Sequence, residues 1–80
     1  MIILTTKTTG KQAVRIIKKA VALRTKATGD PVTAADFLRV SELSRNSMWR
    51  YGKGEKPEHE GLMKIYSGLK AWDIPVEFQP

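Results

Sequence analysis

Arg45 and Asn46 stand side by side directly after Ser44. Both side chains are planar and carry paired hydrogen-bonding groups. An arginine fork takes guanine O6 and N7 together, and an asparagine amide takes adenine N6 and N7. Trp49 and Arg50 follow one helical turn later. Arg50 suits a base or a phosphate. Trp49 suits a sugar or a thymine methyl, and equally a half-buried place in a core or an interface. Arg45, Asn46, Trp49 and Arg50 are therefore the candidate base-contacting residues. Thr33, Ser44, Ser47, Lys53 and Lys56 carry the hydroxyl and ammonium groups that hold phosphates, and are the candidate backbone contacts.

Catalytic chemistry is much thinner. His59 lies between Glu58 and Glu60, but it is the single histidine and there is no cysteine. An acid–base or metal centre needs more partners than this. His59 reads as an exposed residue at a helix start. Gly52 and Gly54 read as a helix stop, not as a phosphate loop. No enzyme activity, metal, cofactor or small-molecule ligand is expected.

These residues need elements to position them. Thr33 to Val40 reads as a short helix with Thr33 as N-cap and Asp36 in its first turn. Phe37, Leu38 and Val40 are expected to point inward. Ser41-Glu42-Leu43 is a link of only three residues. Ser44 then caps a second short helix reaching Tyr51, with Met48 and Tyr51 on its core face. Two short helices joined by so tight a turn are the skeleton of a helix-turn-helix, expected over about 33–52.

The flanks read just as simply. Met1 to Thr6 looks like a strand, and Lys7 to Gly10 like a polar link. From Lys11, Ala13, Ile16, Ala20 and Leu23, with Val14, Ile17 and Val21, recur at helical spacing. Gly29 and Asp30-Pro31 end that helix. Glu55-Lys56-Pro57 is a loop before another helix, marked by Leu62, Ile65, Tyr66 and Leu69 and ending near Trp72. Ile74 to Phe78 reads as a second strand, with Pro75 favouring an edge. The two strands can pair with each other or with those of a second chain.

Eighty residues make one domain, 1–80, with a net charge of +6. Residues 7–53 hold eleven Lys/Arg and three acids, eleven minus three giving +8. Residues 54–80 hold three bases and five acids, three minus five giving −2. A basic body with a mildly acidic tail suits a polyanion partner. The lysines of the first helix read first as a solvated face and second as distant phosphate contacts. No apolar run approaches a membrane span and the start is too short for a signal peptide, so a cytoplasmic location without membrane association is expected.

Thr33 to about Phe78 resembles the Cro/lambda-repressor-like, or XRE-type, helix-turn-helix family. Phe37, Ser41 and Leu43-Ser44 stand in the family's places in and beside the turn. Ser44, Ser47, Met48, Tyr51 and Gly54 match its second helix in register. Pro57, Leu62, Ile65 and Leu69 match the helix that follows. Leu38 stands where the family usually has Ala, and Glu42 where it usually has Gly. The resemblance implies a mainly α fold of four to five helices with short terminal β-strands. It also implies a phage- or prophage-type repressor in a bacterial or phage-infected cell, associated with the nucleoid. The protein would bind double-stranded DNA as a homodimer on a palindromic operator, with 44–51 in the major groove. Ile2-Ile3-Leu4 with Ile74, Val76 and Phe78, or a face of the last helix, would form the dimer contact. Competing readings are an excisionase-type architectural protein, an antitoxin, and a protein-interaction module docking through Trp49, Tyr51 and Trp72.

Overall fold

A computed structural model describes residues 1–80. The chain runs β1 (Ile2–Thr5), α1 (Gly10–Thr28), α2 (Ala34–Ser41), α3 (Arg45–Gly52), α4 (His59–Ala71) and β2 (Val76–Gln79). It is a mainly α fold of four helices with two short terminal strands. No helix is long and apolar enough to cross a membrane.

Local sequence accounts for most helix ends. Thr9 caps α1, accepting from the Gln12 amide while the Gln12 side chain accepts from the Thr9 amide. This reciprocal box starts the helix at Gly10, inside what the sequence suggested was a polar link. Gly29 ends it at φ 78°, with its N–H on the Thr25 carbonyl. Thr33 and Asp36 form a second such box at α2. Ser44 caps α3 by accepting from the Ser47 amide.

Tertiary structure decides the rest. Phe37, Tyr51, Ile17, Leu62, Ile65, Leu69 and Leu4 are fully buried in one cluster. Trp72 closes it, edge-on to Phe37 with ring centroids 5.2 Å apart. The contact of α2 with α4 is close because Gly68 has no side chain. A Cβ there would lie 2.7 Å from Ser41 Cβ and 2.9 Å from Phe37 Cζ. Val40 does not point inward as expected but is 40% exposed. Phe37, Leu38 and Ser41 occupy the inward side of α2, and the helical period turns Val40 about 100° away from them.

The two strands pair with each other, in parallel, with Ile2 opposite Val76 and Leu4 opposite Phe78. A lone two-stranded sheet is marginal in water. Here the helices support it, with Ile2, Leu4 and Ile74 buried in the common core and Val76 and Phe78 packed against it. This corrects one expected dimer contact. Ile2, Leu4 and Ile74 are spent within the chain, and Ile3, 48% exposed, is what β1 offers outward beside Met1.

Candidate functional site

The segment 34–52 contains two eight-residue helices separated by Glu42, Leu43 and Ser44. The reversal depends on Glu42, which adopts φ 61°, ψ 24° and ends α2. A left-handed residue with a Cβ costs about 1–2 kcal/mol. Its N–H lies on the Leu38 and Arg39 carbonyls, and the Ser41 hydroxyl accepts from the Leu43 amide. Leu43 is buried, so the turn is anchored beneath as well as along its backbone.

Of α3, only Tyr51 is buried, with Met48 half-buried against the core. Arg45, Asn46, Trp49, Gly52 and Lys53 are exposed. At 100° per residue these five share one side of the helix, opposite Met48 and Tyr51. Trp49 is 61% exposed, which removes it from the core. Lys53 Nζ lies 4.7 Å from its ring centroid, so the indole face carries a cation. The first turn of α3 has no acid, and the amides of Arg45 and Asn46 have no acceptor within the chain. The positive end of α3 is thus open on the same side as the two planar side chains.

Other candidate residues are placed differently. Arg50 does not share the exposed side. Its guanidinium pairs with Glu55, lies 3.8 Å from Glu58 and donates to Ser47 Oγ at 3.2 Å. It also lies 5.9 Å from the Tyr51 ring centroid. The arginine expected at base edges is instead turned along the protein, tying α3 to the following loop and to the start of α4. Thr33 is likewise engaged, because Asp36 takes both its amide and its hydroxyl proton. An anion already sits at the α2 N-terminus, which opposes a phosphate there. Ser44 gives its proton to Ser47 Oγ at 2.9 Å. Ser47 Oγ accepts from both Ser44 and Arg50. Lys56 is exposed in the loop. The arrangement gathers Arg45, Asn46, Trp49 and Lys53, and sets Arg50 and Thr33 aside.

Beneath this side, the Tyr51 hydroxyl donates to Glu58 Oε1 at 2.7 Å. Burial, then the bond and charge of Glu58, raise the Tyr51 pKa to about 12. The same hydrogen bond lowers that of Glu58. Asp36 is lowered as well, chiefly by the Thr33 amide. Sequence reading missed Glu55 and Glu58 as partners of Arg50, although opposite charges flanking the Gly52–Gly54 stop were visible. It also missed Gly10 and Gly61. A Cβ on Gly10 would collide with the carbonyl oxygens of Glu55 and Tyr51, and one on Gly61 with the Tyr51 hydroxyl. Tyr51 and Trp72 are buried, so no docking patch of Trp49, Tyr51 and Trp72 exists.

Comparison with known protein families, curated proteins and solved structures returns no match.

Proposed function

We propose that the protein is a sequence-specific double-stranded DNA-binding regulator that presents α3 to the major groove. One observation carries this reading. A helix entered through a three-residue turn buries one side chain fully and offers Arg45, Asn46, Trp49 and Lys53 together to solvent. Arg45 and Asn46 are the base readers, through the bidentate geometries that guanine and adenine accept. Trp49 packs its exposed ring on sugar or a thymine methyl. Lys53, Lys56 and the open amides of α3 hold phosphates.

In this reading the protein acts in the cytoplasm as a phage- or prophage-type repressor of the Cro/lambda-repressor-like kind. It binds as a homodimer on two half-sites one helical turn apart. The helical segment 59–71 stands where an excisionase would carry a wing hairpin, which weighs for the repressor. Selection of bound sites from random duplexes is expected to return a palindrome. Arg45→Ala with Asn46→Ala is expected to abolish preference for it while leaving the circular dichroism spectrum unchanged. Unaltered site preference in the double variant would overturn the proposal.

A further inference from the structure

The exposed side of α1 has no part in base reading. The helix carries six basic residues and no acid. Lys11, Arg15, Lys18, Lys19 and Lys26 are exposed, and none of them makes an ion pair. Only Arg24 turns inward, 5.8 Å from the Trp72 ring centroid. Spacings of three, four and seven or eight residues keep the five on one side of the helix. The row from Lys11 to Lys26 is about 22 Å long at 1.5 Å per residue.

This arrangement works against the helix that carries it. Lys11 with Arg15, and Arg15 with Lys19, are like charges at i,i+4 and destabilise by a few tenths of a kcal/mol each, roughly. Lys11 also lies in the first turn, where the helix dipole disfavours a cation. In α2 the one cation is paired, Arg39 with Asp36, and in α4 one of two is, Lys64 with Glu60, whereas α1 pairs none of its six. The helices without any acid are α1 and α3. Charges kept unpaired on a rigid row are arranged for a partner that supplies the opposite sign.

We infer that this side of α1 is a second, sequence-independent docking surface for the phosphate backbone of duplex DNA. It rests on the base-reading proposal for the identity of the polyanion. A row of about 22 Å matches a length of duplex axis that carries roughly six phosphates per strand, at 3.4 Å of axis each. A lipid surface fits less well, because a helix lying on a membrane inserts its apolar side. In α1 that side, Ala13, Ile17 and Ala20, is buried. The same buried side packs on α3 and α2, so the cations look away from the α3 contact. The α1 surface therefore takes a segment of DNA other than the one that α3 enters.

Lys11→Gln, Arg15→Gln, Lys18→Gln and Lys19→Gln in one chain test this, with binding of a random-sequence duplex followed by fluorescence anisotropy over a range of salt. Affinity is expected to fall at least tenfold. The slope of log K against log[salt] is expected to shrink by about 0.9 per lost phosphate contact. Lys70→Gln, which removes a cation of α4 that neither surface includes, is expected to keep wild-type affinity for the random duplex. Wild-type affinity and slope in the quadruple variant would overturn this inference and leave base reading to its own test. Conversely, loss in the quadruple variant beside unaltered operator preference in the Arg45/Asn46 variant would sink base reading alone. Tighter binding of the wild type to phosphatidylserine vesicles or to polyglutamate than to duplex, at equal salt, would also overturn it. Acetylation footprinting of the unaltered protein decides the matter should the quadruple variant fail to fold. The duplex is expected to protect Lys11, Lys18 and Lys19, and equal labelling with and without it would reject the surface.

Discussion

Arg50 and Arg45 are five residues apart on one short helix, yet they have different neighbours and so different expected roles. Arg45 is exposed with no partner in the chain, whereas Arg50 is held by Glu55, Glu58 and Ser47. Replacing Arg45 with Ala should change which base is preferred at one position of the bound site. Replacing Arg50 with Ala should lower affinity for all sites alike, because it loosens α3 without removing a base contact. Site selection with each variant separates the two outcomes. Tyr51 offers a spectroscopic check of the same region. In a Tyr66→Phe chain it is the one remaining tyrosine, and its absorbance titration should centre at about 12. Since its pKa in the folded chain lies above the ordinary value of 10.0, the stability it contributes is complete below pH 10. That stability is lost as pH rises from 10 towards 12. The lowered Glu58 and Asp36 act at the other end. Their contribution is complete above the ordinary carboxylate range and is lost as pH falls through and below it. Denaturant midpoints against pH should therefore form a plateau that declines on both sides.

Among the elements, helix ends were the most legible part of the sequence. Thr33 with Asp36, Ser44, and Gly29 act on backbone groups within four residues, so type and spacing suffice to place them. The Thr9–Gln12 box is equally local, but Gly10 inside it read as a link. Its reason is tertiary, the carbonyls of Tyr51 and Glu55 lying against it. Val40 was misplaced for a related reason, since apolar character does not say which side of a short helix the core will occupy. The candidate site was legible to a similar extent. Arg45, Asn46, Trp49 and Lys53 share one side as helical spacing requires, whereas the orientation of Arg50 depends on Glu55 and Glu58 from beyond the helix. Two substitutions test the element-level account. Glu42→Gly should relieve the left-handed conformation and raise stability by about 0.5–1 kcal/mol, after the greater unfolded-state entropy of glycine is offset. Gly10→Ala should lower it by about 1–3 kcal/mol, because backbone carbonyls cannot move aside cheaply. Urea denaturation measures both.

Across the whole molecule, charge and topology set the behaviour. A chain of net charge +6, with α1 and α3 free of acids, should lose DNA affinity steeply as salt rises. A flat response would contradict both proposed surfaces. The terminal strands are single chain ends, yet β1 has its only strand partner in β2. Removing residues 76–80 should therefore uncover Ile2 and Leu4 and destabilise the entire fold, with a transition that is lower and broader on heating. The sequence marked both strands, but hydrophobic alternation alone left their partner and direction open.

The pairing of Ile2 with Val76 also sets an order of events during synthesis. The ribosome makes β1 first and β2 last, at about 5–20 residues per second. For several seconds the first strand is outside with its apolar side chains bare and no mate yet translated. The helices can gather in that interval, but the sheet closes only after residues 76–79 leave the exit tunnel. A stop codon between those for Ala71 and Val76 would thus give a chain with α1 to α4 encoded and its first strand permanently sticky, a natural target for cellular proteases.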